Sequence, residues 1–93
     1  MRRAAPIDPA WDAFAAELGR NLQRRRMDLG HSQERIAYTA GLSRFTYQKY
    51  EQGQSRPGAP ANPSLRVLLA ISQALETPLH ALLPDSVPDL KAH

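Results

Sequence analysis

Residues 30–53 read GHSQERIAYTAGLSRFTYQKYEQG, and their capping serines and terminating glycines predict two short helices joined by a tight turn. Ser32 and Ser43 are each placed to cap a helix, because a serine hydroxyl accepts hydrogen bonds from the free amides of a first helical turn. Gly41 and Gly53 follow the two segments, and glycine is the usual residue in the left-handed conformation that ends a helix. The stretch therefore predicts one helix between Ser32 and Gly41 and another between Ser43 and Gly53.

A longer helix is predicted upstream of this stretch. Asp8 is a favourable capping residue, and Pro9 fits the first helical position because its missing amide hydrogen would have no partner there. Gly30 ends this helix. A stripe of apolar residues at helical spacing predicts its buried face, formed by Trp11, Phe14, Leu18 and Leu22.

The rest of the chain predicts a loop and two more helices. Residues 54–63 contain three prolines and a glycine, so we expect a loop without strands. The helix that follows Ser64 is apolar on most of its circumference and is expected to be buried from two sides. Thr77 and Pro78 start a last short helix that ends at Pro84. The predicted fold class is a compact all-α bundle of five helices.

Composition restricts the class of protein. The chain has 93 residues, which suits a single domain, and it has no cysteine, so a disulfide framework and a thiolate metal site are excluded. No window approaches the roughly 18 apolar residues of a membrane span. Asp28, His31 and Ser32 match a catalytic triad only in composition, and the histidines are too scattered for a metal site. We expect a cytoplasmic protein that is not an enzyme, uses no cofactor or metal, and has no evident small-molecule ligand.

Positive charge is concentrated in the middle of the chain. The net charge is +3, and residues 33–66 hold five basic residues against two acidic ones. The second of the two short helices carries Arg44, Phe45, Gln48 and Lys49 on the face opposite its two tyrosines. These charges are read either as a solvated helix face or as the arrangement in which a helix-turn-helix module enters the major groove of DNA.

This stretch resembles the helix-turn-helix of the phage-repressor family, also called Cro-type or XRE-type regulators. The resemblance rests on the Ser32-Gln33 opening, Ala37, the turn at Gly41-Leu42-Ser43, and the exit from Glu51 to Gly53. It covers about residues 16–84 and implies a five-helix bundle of the lambda-repressor type. Residues 16–84 are then the helix-turn-helix DNA-binding domain, in which helices 2 and 3 form the helix-turn-helix. Residues 1–15 are then an N-terminal extension with the start of helix 1, and residues 85–93 a flexible C-terminal tail.

The resemblance also implies contacts for individual residues. The base-reading positions are expected at Arg44, Phe45, Thr46, Gln48 and Lys49. The sugar-phosphate contacts are expected at Ser32, Gln33, Ser43, Gln52, Gln54 and Arg56. Arg26 and Glu51 match a pair that forms a structural salt bridge in this family.

The implied function is sequence-specific binding of double-stranded DNA by a transcriptional regulator, most simply a repressor. One recognition helix reads only about four to six base pairs, so such proteins bind palindromic operators as dimers. We expect a homodimer whose interface contains Leu79, Leu82, Leu83 and Val87, and the first helix offers a second candidate surface at Trp11 and Phe14. The alternative is an antitoxin-like module whose main partner is another protein, contacted through loop 54–63 or tail 84–93, with DNA binding for autoregulation.

Overall fold

The computed structural model describes residues 8–91, which form five helices and one two-stranded sheet. The predicted all-α five-helix class is confirmed, with a small hairpin added to it. Of the predicted segments, residues 1–7 of the N-terminal extension and residues 92–93 of the tail lie outside the described part. The elements in chain order are α1 (Pro9–Asp28), α2 (Gln33–Ala40), α3 (Arg44–Glu51), β1 (Gln54–Arg56), β2 (Ala59–Pro60), α4 (Leu65–Ala74) and α5 (Leu79–Leu82).

Four helices begin at a capping residue, and the sequence predicts three of these caps, Asp8, Ser32 and Ser43. The Asp8 carboxylate accepts hydrogen bonds from the amides of the first turn of α1. The hydroxyl oxygens of Ser32, Ser43 and Ser64 accept from amides at 3.0, 3.0 and 3.2 Å at the starts of α2, α3 and α4. Gly41 ends α2 with a φ of 76°, a left-handed conformation that favours glycine. Helix boundaries are therefore set by residues close in sequence.

The core lies where the five helices meet. Each helix contributes at least one residue that is at most 2% exposed, represented by Leu22, Ile36, Tyr47, Ile71 and Leu82. On α1 the predicted stripe is buried at Leu18 and Leu22, whereas the rings of Trp11 and Phe14 are half-buried and stack with centroids 5.4 Å apart.

Two glycines bring α3 and the following segment against α1. A β-carbon added at Gly19 would lie 2.7 Å from the carbonyl oxygen of Tyr50 and closer still to that of Glu51. One added at Gly53 would lie 2.7 Å from the α-carbon of Ala16. Because these contacts are with backbone atoms, a side chain at either position would push the two segments apart.

The prediction of a strand-free loop over residues 54–63 is wrong. β1 and β2 form an antiparallel hairpin, and Gly58 at its tip has a φ of 80°. That value suits the third position of a type II turn, where proline commonly precedes glycine, as Pro57 does here. At the base of the hairpin, the Ala61 amide donates to the Gly53 carbonyl at 2.8 Å.

Burial of α4 from two sides is also contradicted. Leu65 is 66% and Leu69 43% exposed, although Ile71 and Leu75 are fully buried. The exposed leucines line a groove of about 710 Å³ between α2 and α4. In the part of the chain that the structure describes, no element covers this second apolar face.

The predicted dimer surface needs one correction. Leu82 is 2% exposed and belongs to the core. The side-chain amide of Asn21 in α1 donates a 2.8 Å hydrogen bond to the Leu82 carbonyl, which holds α5 against α1. A residue that is buried within one subunit is not available to a second one. Leu79 and Leu83 are half-buried and Val87 is 71% exposed, so these three stay a prediction.

Candidate nucleic-acid interface

Helix α3 has a buried inner face and an exposed outer face. Tyr47 is fully buried, and Glu51 is 8% exposed, which places these two residues toward the core. Arg44 and Phe45 are exposed, and three further side chains of the outer face are half-exposed, namely Thr46, Gln48 and Lys49. The structure thus brings all five predicted base-reading residues onto accessible surface of one helix.

The outer face is positively charged, and several of its polar groups lack hydrogen-bond or ion-pair partners within the described chain. Within residues 8–91 the Arg44 guanidinium has no ion pair or hydrogen-bond partner. The Lys49 ammonium lies 4.5 Å from the centroid of the Phe45 ring. The Thr46 hydroxyl oxygen accepts a 2.9 Å hydrogen bond from Ser43 and keeps its own hydrogen to donate. An anionic ligand rich in acceptors would supply the partners that these groups lack.

Three predicted phosphate contacts lie beside this face. Gln52, Gln54 and Arg56 line a groove of about 180 Å³ together with Phe45 and Lys49. The hairpin that carries Gln54 and Arg56 was not predicted, yet it is what brings these side chains next to α3. All three residues are exposed.

The other predicted phosphate contacts also hold the helices in place. The hydroxyls of Ser32 and Ser43 accept capping hydrogen bonds. The Gln33 amide donates to Glu51 Oε1 at 2.9 Å, so one of its two N–H groups is used inside the molecule. The second N–H of the half-exposed Gln33 remains for an outside acceptor at the N-terminus of α2.

A buried cluster around Glu51 fixes where α3 lies. Arg26 of α1 donates through Nε to Glu51 Oε2 at 2.6 Å and through Nη2 to Oε1 at 3.1 Å, which forms the expected salt bridge. Arg26 Nη1 also donates to the His31 carbonyl at 2.9 Å. With Gln33 on the same carboxylate, three helices meet at one buried charge.

The environment of Glu51 favours its charged form. Burial alone would raise the pKa of this carboxyl, but the hydrogen bonds from Arg26 and Gln33 and the charge of Arg26 outweigh burial. The pKa of Glu51 therefore lies below its ordinary value. In the neighbouring core, burial and the adjacent Glu51 carboxylate raise the pKa of the Tyr47 phenol.

Two contacts of the site were missed by sequence reasoning. The Gln33 to Glu51 hydrogen bond joins residues of different helices, and nothing local in the sequence signals it. The Phe45 and Lys49 contact has a signal, because side chains four residues apart meet on one face of a helix.

The sequence model for the family described as "Helix-turn-helix domain" matches residues 17–83. The chain belongs to the helix-turn-helix domain family. This match confirms the predicted resemblance to regulators of the phage-repressor type. The similar proteins described below are named as regulators and not as enzymes.

Two curated relatives are HTH-type transcriptional regulators from Sinorhizobium medicae and Rhizobium meliloti. Each is 35% identical to this helix-turn-helix chain over 72 residues, a match that covers 77% of this chain and 48% of the relative. The chain therefore spans about half the length of the curated relatives that it matches.

Three solved structures share the fold. The restriction-modification controller protein C.AhdI from Aeromonas hydrophila matches with a TM-score of 0.67 and 31% identity, over 76% of this chain and 98% of its own. The hypothetical transcription factor NHTF from Neisseria matches with a TM-score of 0.66 and 26% identity, over 90% and 88%. The clp gene regulator ClgR from C. glutamicum, at 19% identity and a TM-score of 0.63 over 84% and 86%, is similar in fold alone.

Two other features are absent from the described residues. Across residues 8–91, no helix has the length and apolar character needed to cross a membrane. The same residues contain no group of three or more side chains suited to hold a metal ion.

Proposed function

We propose that this helix-turn-helix chain binds double-stranded DNA in a sequence-specific manner and regulates transcription. The observation that carries the proposal is the outer face of α3, where Arg44 and Lys49 lie among donors and acceptors with no competing carboxylate on that face. The one acidic residue of α3, Glu51, is turned inward and neutralised by Arg26. A major groove about 12 Å wide admits one α-helix, and α3 is the candidate to enter it.

The proposed docking assigns different roles to the two helices of the motif. Side chains at the start and middle of α3 contact base edges, with Arg44 or Lys49 donating to the paired acceptors of a guanine. Gln33 at the start of α2 donates its free N–H to a phosphate, supported by the helix dipole. Arg56 and the neighbouring glutamines of the hairpin contact the sugar-phosphate backbone beside α3.

The experiment is a selection from a random duplex library at about 0.15 M salt, where non-specific phosphate attraction is weakened. We expect one enriched motif. Arg44→Ala should then lower discrimination at one base pair by about 1–3 kcal/mol, whereas Gln33→Ala should weaken binding on all sequences. Arg24→Ala, an exposed arginine of α1 that bonds Asn21, is the matched control and should preserve the motif. Equal behaviour of the Arg44 and Gln33 variants would contradict the placement of α3 in the groove.

We further propose that the protein acts in the cytoplasm as a homodimer on a palindromic operator and represses by occluding a promoter. Two copies related by a two-fold axis would read two half-sites about one helical turn apart. The proposed interface is the surface near α5, with Leu79, Leu83 and the 71% exposed Val87. The enriched motif should accordingly be an inverted repeat.

Sedimentation of the purified protein tests the dimer. Val87→Asp should convert the dimer into a monomer, because it buries a charge in an apolar contact. Leu65→Asp, on the exposed face of α4, is the control and should leave the dimer intact. A monomeric wild-type protein, or a dimer broken by Leu65→Asp alone, would contradict the proposed interface.

A further inference from the structure

Phe45 and Lys49 form an oriented pair on the outer face of α3. They are four residues apart, and the ammonium of Lys49 lies 4.5 Å from the ring centroid of Phe45. Attraction between a cation and the face of an aromatic ring holds both side chains in this arrangement. The Phe45 side chain is nevertheless 67% exposed, so most of its ring is accessible to a ligand.

The surroundings of the pair suit a small apolar group that lies next to hydrogen-bond acceptors. Phe45 and Lys49 line the groove of about 180 Å³ whose hairpin side carries Arg56 and Pro57. The ring and the proline provide apolar surface, and the two cations provide donors. In the major groove of DNA, the 5-methyl group of thymine is apolar, and the O6 and N7 atoms of guanine are paired acceptors.

The two groups of the pair are close enough to reach adjacent bases. Successive bases of one strand are about 3.4 Å apart along the duplex axis. The Phe45 ring centroid and the Lys49 ammonium are 4.5 Å apart, a separation comparable with one such step. Two neighbouring base pairs are therefore within reach of the pair at the same time.

We propose that Phe45 and Lys49 together read one two-base step, a pyrimidine with a 5-methyl group next to a guanine. The ring packs on the methyl group, while the ammonium donates to O6 and N7 of the guanine. Because 5-methylcytosine carries its methyl group at the same position as thymine, the pair accepts both bases and disfavours uracil and unmethylated cytosine. This inference rests on the proposed function, since it requires α3 in the major groove.

The test uses the tightest duplex from a library selection with the wild-type protein. At the pyrimidine of the step, thymine is compared with uracil, and 5-methylcytosine with cytosine, because each comparison changes only a methyl group. Fluorescence anisotropy should show about fourfold weaker binding without the methyl group, the equivalent of about 0.8 kcal/mol for one buried carbon. Thymine and 5-methylcytosine duplexes should bind within about twofold of each other.

Two variants assign the effect to the pair. Phe45→Ala should remove the methyl discrimination in both comparisons and leave the preference for guanine. Lys49→Met should keep the methyl discrimination and lose the preference for guanine over 7-deazaguanine, which lacks the N7 acceptor. Tyr38→Ala removes an aromatic side chain of α2 that is 84% exposed, and this control should behave as wild type. Thermal unfolding of each variant checks that its fold is intact.

Three results would overturn the inference and leave the proposed function standing. These are equal binding of thymine and uracil duplexes by the wild-type protein, methyl discrimination that survives in Phe45→Ala, and an enriched motif without a pyrimidine-guanine step. Failure of the wild-type protein to enrich or bind any duplex would overturn both the inference and the proposed function.

Discussion

The side chains on the two faces of α3 differ in how many packing, hydrogen-bond and ion-pair partners they have within the molecule. On the inner face, Tyr47 is fully buried, and the carboxylate of Glu51 is bonded by Arg26 and Gln33. On the outer face, Arg44 has no hydrogen-bond or ion-pair partner in residues 8–91, and the Lys49 ammonium lies over the ring of Phe45. A helix of eight residues thus holds a fixed position through one face and leaves the other accessible.

This difference separates stability from recognition. Substitutions on the inner face should change the free energy of unfolding, because they leave a buried group unpaired or misplace the helix. Substitutions on the outer face should change ligand binding with little effect on folding. The predictions below test this separation, beginning with the largest expected effect.

Arg26→Met should destabilise the protein most. It leaves the Glu51 carboxylate buried without its partner, and breaking a buried pair in this way typically costs about 3–5 kcal/mol. Urea unfolding at pH 7 measures the loss. Arg24→Met, at an exposed position of the same helix, is the control and should change stability by less than about 0.5 kcal/mol. Similar losses in both variants would show that the buried pair is not what stabilises this face.

Gly19→Ala should have the next largest effect. The new β-carbon would meet the carbonyl oxygens of Tyr50 and Glu51, so α1 and α3 must separate, at a typical cost of about 1–3 kcal/mol. Gly58→Ala is the comparison, since nothing lies within 4 Å of that position and only its φ of 80° resists the change. In thermal unfolding, Gly19→Ala should have a lower melting temperature than Gly58→Ala. The reverse order would contradict close contact between the helices as the cause.

Acid should remove part of the inner-face stability. The pKa of Glu51 is lower in the folded protein than in the unfolded chain, so its contribution is fully present above the unfolded pKa. That contribution is lost as the pH falls through the folded pKa. Denaturation midpoints measured from pH 7 down to pH 3 should therefore fall less steeply in Glu51→Gln than in wild type. Glu34→Gln, an exposed carboxylate of α2, should keep the wild-type slope.

The smallest stability effect is expected on the outer face. Arg44→Ala, Phe45→Ala and Lys49→Ala should each change the free energy of unfolding by less than about 0.5 kcal/mol, because these side chains pack against nothing in the core. The same three variants should alter DNA binding. A loss of stability as large as that of Gly19→Ala in any of them would remove the distinction between the two faces.

The parts of the fold that the sequence predicts are those with local causes. Asp8, Ser32 and Ser43 cap helices because a cap needs only its own side chain and the next three amides. The positions of α2 and α3 followed from these caps and from Gly41. Helical periodicity places Arg44, Phe45, Gln48 and Lys49 on the face opposite the tyrosines, whereas their assignment as base-reading candidates, together with Thr46, came from the family resemblance.

The parts that were mispredicted depend on neighbours distant in sequence. An apolar stripe on α4 indicates burial, but it does not say whether an element covers both sides, and Leu65 and Leu69 are left exposed. Leu82 was assigned to a dimer, whereas Asn21 holds its segment against α1. In both cases the hydrophobic pattern was correct, and the contact partner was not readable from it.

The hairpin was missed for a different reason. Prolines in residues 54–63 indicated only that no helix forms there. The dipeptide Pro57-Gly58 is a specific turn signal, and this turn is the tip of the observed hairpin.

The hydrogen bond between the Ala61 amide and the Gly53 carbonyl closes the hairpin at its base. The chain leaves the helical body after Gly53 and returns to it at Ala61, so the distance between α3 and α4 does not depend on how many residues lie between these two points. Insertions or deletions at the exposed tip would therefore alter the reach of the hairpin without shifting α4. A label inserted at this tip should therefore leave the helical body unchanged.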